Sequence, residues 1–283
     1  MTIEKITVIG AGTMGHGIAQ VSAQAGFQVT LVDVSEEIVA RGMTAIESNL
    51  KKGIERAKVT EAEMREALLR IQASTDAAKS ASQADLVIEA IIERLDAKQK
   101  LFAELDAVCK SETILATNTS SLSIEKIASA TRRPDRVIGT HFFNPVHIMK
   151  LLEVVIGPET SQATLSSVLN VATRIGKEAI TVKDAPGFAT SRLGVALGLE
   201  AMRMLEQGVA SAEDIDKAMS LGYNHPMGPL RLTDLVGLDV RLSIAEYLFN
   251  ELNSEVFRPP DILRQKVREG KLGKKSGEGF YKW

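Results

Sequence analysis

The fold of this chain is decided by the stretch Lys5-Ile6-Thr7-Val8-Ile9-Gly10-Ala11-Gly12-Thr13-Met14-Gly15. A short apolar run leads directly into a Gly-x-Gly-x-x-Gly turn, and a helical pattern over about residues 13–25 follows it. Gln28–Val32 then has the composition of a second strand. A strand, a helix and a strand in this order predict a βαβ unit and therefore a parallel sheet.

The glycine turn has the residues that a dinucleotide requires. Gly10 permits the tight turn, Gly12 leaves room for a pyrophosphate against the backbone, and Gly15 lets helix and strand pack closely. Thr13 and Met14 precede the helix, whose free N–H groups and positive dipole end would face the phosphates. The turn therefore predicts a dinucleotide cofactor.

The residue that follows the second strand favours NAD. Asp33 lies about 20 positions beyond the turn, where a carboxylate accepts hydrogen bonds from the ribose hydroxyls of adenosine. Its charge would repel a 2′-phosphate, and Val34 and Ser35 provide no arginine to receive one. NADP is thus disfavoured, and FAD is a less favoured occupant of the same turn.

Further strand candidates alternate with helical patterns through the first two thirds of the chain. They cover residues 84–88, 113–117, 136–140, 150–155 and 178–182. Residues 36–70 carry no strand signal, so two helices are predicted to project from the sheet there. The fold class predicted is α/β, with a Rossmann-type, doubly wound, mainly parallel sheet.

The pattern changes at Asp184-Ala185-Pro186-Gly187, after which helical segments alternate with turns rich in Gly, Pro and Asn. We predict an NAD-binding domain over residues 1–184 and an all-helical substrate domain over residues 185–283. A domain as small as the second often buries part of its surface against a copy, so a homodimer formed through it is expected.

Composition narrows the classes of partner. The 34 basic and 36 acidic residues give a formal charge of −2, which favours neither nucleic acid nor an anionic membrane. No apolar window approaches the roughly 18 residues that span a bilayer, so we expect a soluble, cytoplasmic protein. Cys109 is the single cysteine, and the four histidines lack zinc-binding spacing, so no metal site is predicted. These histidines are His16, His141, His147 and His225.

His141 and Glu153 are the candidate catalytic pair. A dehydrogenase needs a base to take the hydroxyl proton as hydride leaves, and His141 follows the strand at 136–140, at the edge where doubly wound sheets bind ligands. Glu153 lies among apolar residues, where an unpaired carboxylate would cost on the order of several kcal/mol. Pairing the two would fix the tautomer of the imidazole and stabilise the imidazolium. The alternative is a strand glutamate that faces solvent.

Seven motifs together resemble the L-3-hydroxyacyl-CoA dehydrogenase family from end to end. They are VIGAGTMG (8–15), IEA (88–90), TNTSS (117–121), HFFNP (141–145), APGF (185–188), NHPMGP (224–229) and KSGEGFY (275–281). Length and layout are most similar to the bacterial short-chain branch. The resemblance implies that NAD is used to interconvert (S)-3-hydroxybutyryl-CoA and acetoacetyl-CoA.

The resemblance also implies roles for single residues. His141 would be the general acid/base, Glu153 its orienting partner, and Ser120 a donor to the 3-oxygen of the substrate. Asn118 and Asn144 would line the nicotinamide and substrate pocket. Without the family, Ser120 is equally well explained as a helix cap.

Three further residues would contact the cofactor. Glu93 and Lys98 would bind the nicotinamide ribose, and Lys275 would reach the cofactor from the second domain. The alternatives are an ordinary helix pair for Glu93 and Lys98 and a solvated charge for Lys275.

Coenzyme A would be bound by a basic cluster on the projecting helices, comprising Lys52, Arg56 and Lys58 with the neighbouring Lys51. A charged solvent face is the alternative.

One position departs from the family pattern: Ser191 stands where a substrate-positioning asparagine is usual. His147 is expected to border the pocket, His16 to face packing or solvent, and His225 to be a structural turn residue.

Two other functions remain open. The same scaffold could act on a free hydroxy acid such as a sugar acid, or the chain could be an NAD-binding protein without activity. The presence of both His141 and Glu153 argues against the second.

Overall fold

The computed structural model describes residues 2–283. The chain folds as two compact units that divide between Asp184 and Ala185. Within residues 2–283, every helix is too short or too polar to cross a membrane.

The first unit is built on one eight-stranded sheet in the order β3-β2-β1-β4-β5-β6-β7-β8. All neighbouring strands are parallel except β6 and β7, which are antiparallel. This confirms the predicted doubly wound, mainly parallel fold. The strands are β1 (Lys5–Ile9), β2 (Gln28–Val32), β3 (Ile71–Ser74), β4 (Leu86–Glu89), β5 (Ile114–Thr117), β6 (Val137–Phe142), β7 (Leu151–Ile156) and β8 (Glu178–Lys183).

The central strands β4, β5 and β6 are buried along their whole length, as expected for parallel strands covered by helices on both faces. The helices of this unit are α1 (Gly15–Gln24), α2 (Glu36–Glu55), α3 (Glu61–Leu69), α4 (Ala77–Ala81), α5 (Leu95–Val108), α6 (Ile124–Ala128) and α7 (Gln162–Arg174). A short 3-10 turn, Pro134–Arg136, precedes β6. The carboxyl ends of the parallel strands β1, β2, β4, β5 and β6 meet at one edge of the sheet, where the candidate site lies.

The two helices predicted over residues 36–70 are α2 and α3. Ser35 caps α2 by accepting a hydrogen bond from the N–H of Ile38, and Thr60 and Glu63 form a reciprocal capping box at the start of α3. These local signals explain why the segment forms two helices with a turn between them.

Two details differ from the sequence predictions. Ile71–Ser74 forms the edge strand β3, which was not predicted because only Ile71 is fully buried and the segment shows no apolar alternation. Strand β6 extends through Phe142, so His141 lies inside the strand and not after it. The register of β6 and β7 then places His141 directly opposite Glu153.

The second unit consists of helices around its own apolar core, to which Val195, Leu199, Met202, Leu230 and Leu248 contribute. Its helices are α8 (Thr190–Glu206), α9 (Ala212–Gly222), α10 (Pro229–Val236), α11 (Leu238–Leu252) and α12 (Asp261–Arg268), with 3-10 turns at Glu255–Phe257 and Lys274–Ser276.

Candidate active site

The glycine turn after β1 has the shape that a bound dinucleotide requires. Gly10 has φ +105°, and a Cβ there would lie 2.4 Å from the carbonyl oxygen of Ala90. A Cβ at Gly15 would lie 1.6 Å from the carbonyl oxygen of Gly10, whereas a Cβ at Gly12 would meet nothing within 4 Å. The turn is closed by two glycines, and the space beside Gly12 is open for a pyrophosphate group. The residues present therefore fit NAD.

Asp33 is held beside this turn at the end of β2. Its Oδ2 accepts a hydrogen bond from the N–H of Ala11 at 2.6 Å, and its Oδ1 accepts one from the N–H of Val34 at 2.7 Å. A carboxylate has about four lone-pair sites, so acceptor capacity remains for ribose hydroxyls. The turn and the acidic residue are thus fixed to each other.

His141 and Glu153 are in direct contact across β6 and β7. The Nδ1 of His141 lies 2.7 Å from Oε2 of Glu153, whose side chain is 0% exposed. Because a carboxylate accepts, Nδ1 carries a hydrogen, and Nε2 is the nitrogen that can exchange a proton with substrate. The ring of Phe143 packs on the imidazole at a centroid distance of 4.4 Å. The alternative of a solvent-facing Glu153 is wrong.

A second buried carboxylate, which the sequence reasoning did not single out, lies at the end of β4. Glu89 is fully buried and accepts hydrogen bonds from Nζ of Lys98 at 2.5 Å, from Oγ1 of Thr117 at 2.6 Å and from the N–H of Ile91 at 2.7 Å. Glu89 ends an apolar run, so its sequence context, like that of Glu153, indicates a buried carboxylate that needs a donor. Lys98 is 1% exposed, and its second ionic partner is Glu93 at 3.4 Å.

Glu93 connects this buried pair to the loop after β5. It accepts hydrogen bonds from the hydroxyl of Thr119 at 2.6 Å and from the N–H and hydroxyl of Ser120 at 2.8 and 3.1 Å. Glu93 precedes α5, so the alternative of an ordinary helix pair with Lys98 is wrong. The cap of α6 is Ser123, so Ser120 is not a helix cap.

Asn118 and Asn144 flank His141 in different ways. The side-chain oxygen of Asn118 accepts a hydrogen bond from the N–H of Phe142 at 2.9 Å, which ties the loop after β5 to β6. Asn144 is exposed in the loop that follows β6 and lines a cavity of about 690 Å³.

The basic cluster of the projecting helices borders the same cavity. Lys52 on α2, Arg56 at the C-cap of α2 and Lys58 in the following turn all line it. Lys51 instead forms an ion pair with Glu47 at 2.6 Å. His147 lines the cavity too. His16, which is half-buried, also lines it.

The remaining predicted residues lie in the helical unit. Ser191 is the second residue of α8. Lys275 forms an ion pair with Asp239 at 2.6 Å, so the side chain is not simply a solvated charge. His225 follows α9 and its N–H donates to the carbonyl of Met219.

Comparison with known proteins identifies the family. Residues 5–185 match the model of the 3-hydroxyacyl-CoA dehydrogenase, NAD binding domain, and residues 187–283 match that of the C-terminal domain. A probable 3-hydroxybutyryl-CoA dehydrogenase of Bacillus subtilis is 48% identical over 99% of this chain and 98% of its own length. The human mitochondrial hydroxyacyl-coenzyme A dehydrogenase is 46% identical over 99% of this chain and 91% of its own length.

A solved structure agrees with these matches. The crystal structure of (S)-3-hydroxybutyryl-CoA dehydrogenase from Ralstonia eutropha is 42% identical, with a TM-score of 0.97 over 100% of this chain and 99% of that one. The matches cover both units and the whole of the glycine turn. This chain therefore belongs to the 3-hydroxyacyl-CoA dehydrogenase family, whose N-terminal domain binds NAD.

Proposed function

We propose that this enzyme interconverts (S)-3-hydroxybutyryl-CoA and acetoacetyl-CoA, with His141 as the general acid/base. The observation that carries the proposal is the contact between His141 and the fully buried Glu153, at the sheet edge that also holds the glycine turn. The relatives named above that act on hydroxybutyryl-CoA support the choice of a short-chain substrate.

In the oxidative direction, Nε2 of His141 takes the proton of the 3-hydroxyl group. The hydrogen at C3 leaves with its electron pair, and C3 becomes the carbonyl carbon of the 3-oxoacyl product. The hydride acceptor is supplied by NAD when it is bound. Glu153 stabilises the imidazolium formed, which afterwards releases its proton to solvent, and reduction follows the same path in reverse.

The cofactor side of the proposal assigns binding to the glycine turn, Asp33, Glu93, Asn118 and Asn144. Lys98 is buried, so we assign it a positioning role: Glu89 holds its ammonium, and the ammonium in turn pairs with Glu93. Lys275 retains its assignment as a cofactor contact from the resemblance alone.

On the substrate side, the hydroxyl of Ser120, which has a single hydrogen, would turn away from Glu93 and donate to the 3-oxygen. Ser191 would help to position the substrate carbonyls. Lys52, Arg56 and Lys58 would bind the phosphates of the coenzyme A nucleotide. Their placement around one cavity supports this role over that of a dispersed, solvated charge surface.

A homodimer through the helical unit is part of the proposal. Leu193 on α8 is 71% exposed, and further apolar side chains on α10 and α11 are at least 40% exposed, namely Leu232, Leu235, Val236 and Val240. Exposed apolar surface of this kind favours an interface. Sedimentation of the purified chain at twice the monomer mass would support the dimer, and a monomer would contradict it. The cytoplasmic location stays a prediction from the sequence.

The experiment is NADH oxidation with acetoacetyl-CoA and, in parallel, with acetoacetate. We expect turnover with the thioester and none with the free acid, and NADPH should be a poor donor because of Asp33. Preference for acetoacetate would support the hydroxy-acid alternative. Binding of NADH without turnover of either compound would support the inactive alternative.

A further inference from the structure

The cavity beside the glycine turn has two histidines whose chemistry the proposed function does not use. His16 on α1 and His147 in the loop after β6 line it together with Lys52, Arg56 and Lys58. We propose that His16 and His147 are further ligands of the coenzyme A phosphates, and that binding of the nucleotide is coupled to proton uptake by these rings. The inference rests on the proposed function and adds two residues that would recognise the nucleotide part of the substrate.

The geometry fixes how His16 can act. Its Nδ1 lies 2.8 Å from the carbonyl oxygen of Gly12 in the glycine turn. A carbonyl only accepts hydrogen bonds, so Nδ1 carries a hydrogen and a second proton can be added only at Nε2. Protonation therefore converts Nε2 from an acceptor, which repels a phosphate oxygen, into a donor with positive charge.

His147 is held in a loop that is anchored on both sides. The ammonium of Lys177 donates to the carbonyl oxygen of Val146 and, at 2.7 Å, to that of Met149. These two contacts bracket His147 and fix the backbone that presents it to the cavity. The fold thus places the backbone of residue 147 beside the cavity.

The charges around His147 are of one sign. His16 faces it from α1, Lys52 and Arg56 from α2, and Lys177 from the segment after α7. Lys58 lines the same cavity, and a neighbouring cavity that shares His147 is lined by Lys150, Arg174 and Lys177. Among residues 2–283, no aspartate or glutamate lines either cavity. Outside these walls, Arg174 pairs with Glu4 at 3.4 Å, and Lys58 also borders a cavity lined by Glu63 and Glu66. The positive charge that remains around His147 suits a phosphate group.

The titration of His147 follows from this surrounding. Loss of water around the ring, and then the positive charges of His16, Lys177, Lys52 and Arg56, lower the pKa of His147 below its ordinary value. A phosphate in the cavity favours the imidazolium and raises that pKa. The affinity for the phosphate that the imidazolium adds is complete at pH values below the pKa of His147 in the free protein. It is lost as the pH rises through the higher pKa of His147 in the complex.

The phosphate itself titrates in the opposite sense. The second pKa of a phosphomonoester is about 6, so the 3′-phosphate loses charge as pH falls. His147→Gln keeps this effect and removes the imidazole, so the ratio of wild type to variant isolates the histidine. Dephospho-CoA lacks the 3′-phosphate, so the ratio of its affinity to that of CoA isolates the contribution of that phosphate.

The test measures KM and kcat between pH 6 and 8, with acetoacetyl-CoA and with the acetoacetyl thioester of N-acetylcysteamine, which has no nucleotide. His147→Gln should raise KM for acetoacetyl-CoA about fivefold at pH 6 and less than about twofold at pH 8, the range of one partly exposed ion pair. The kcat, and KM for the short thioester, should not change. His147→Lys, whose charge is permanent, should restore the affinity and leave only the pH dependence that comes from titration of the phosphate.

Calorimetry of CoA binding in two buffers of different ionisation enthalpy gives proton uptake directly. Uptake near pH 6.5 should fall in His16→Gln and His147→Gln and stay unchanged in the control His225→Gln, whose ring belongs to the helical unit. Equal uptake in all variants, or an equal rise in KM for both thioesters, would overturn the inference. Absence of any turnover of acetoacetyl-CoA by the wild type would instead overturn the proposed function.

Discussion

The two units bury the same kind of side chain and give it different partners. In the sheet unit, Glu153 accepts from the imidazole of His141, a group that can exchange protons at neutral pH. In the helical unit, Asp234 is 1% exposed and accepts from the N–H groups of Phe280 and Tyr281 and from the indole of Trp283.

Asp216 repeats the pattern of the helical unit. It accepts from the N–H groups of Leu230 and Arg231 and from the hydroxyl of Tyr281. Burial, and then this carboxylate, raise the pKa of Tyr281, so the hydroxyl keeps its proton. Burial alone therefore does not tell a catalytic carboxylate from a structural one. The partner does: a histidine can exchange protons with substrate, whereas backbone N–H groups and a protonated tyrosine only hold the fold together.

The largest effect should come from breaking the sheet pair at its carboxylate. Glu153→Gln keeps the shape but no longer stabilises the imidazolium, so kcat for acetoacetyl-CoA reduction should fall on the order of 10²-fold. The affinity for NADH, measured by fluorescence titration, should stay within about twofold. Wild-type turnover in this variant would place Glu153 among the architectural carboxylates.

The matching change in the helical unit should affect stability instead. Asp234→Ala leaves three partly buried donors without their acceptor, and we expect the free energy of unfolding to fall by about 2 kcal/mol. Urea denaturation followed by the fluorescence of Trp283 measures this, since it is the only tryptophan of the chain. Asp234→Asn, which retains one acceptor oxygen, should lose less. A large loss of kcat in folded Asp234→Ala enzyme would contradict the assignment of a purely structural role to Asp234.

The smallest effect concerns the residue of the helical unit that the family resemblance assigns to the substrate. Ser191→Asn restores the usual carboxamide, and kcat with acetoacetyl-CoA should rise up to about tenfold, the range of one hydrogen bond. The substitution lies at the start of α8, so the free energy of unfolding should hardly change. Lower turnover would show that the serine is adapted to this enzyme.

The sequence predicted the scaffold well where the pattern was strong. The bounds of β1 and β2 agree with the prediction, because both are apolar runs next to a glycine turn or an acidic residue. Strand β3 could not be predicted, since Gln72 and Ala73 are exposed and give no periodic signal. The antiparallel direction of β7 was not predicted, although the sequence contains the reason for it. The loop between β6 and β7 is too short for the crossover that parallel strands need.

The part of the candidate site that could be predicted is the part in which a buried charged group needs a hydrogen-bonding partner. A carboxylate in an apolar strand required a donor, which indicated the contact of Glu153 with His141. The cavity of His16 and His147 was not predictable in this way, because three segments distant in sequence form it: α1, the end of α2 and the loop after β6. Their convergence depends on tertiary packing.

The most direct test of the account is His141→Ala, assayed for turnover of acetoacetyl-CoA and for NADH affinity in the same preparation. Loss of the general acid/base should lower kcat by about 10²- to 10⁴-fold, while the dissociation constant of NADH changes by less than about twofold. An equal loss in both quantities, or turnover at the wild-type rate, would contradict the assignment of proton transfer to this imidazole.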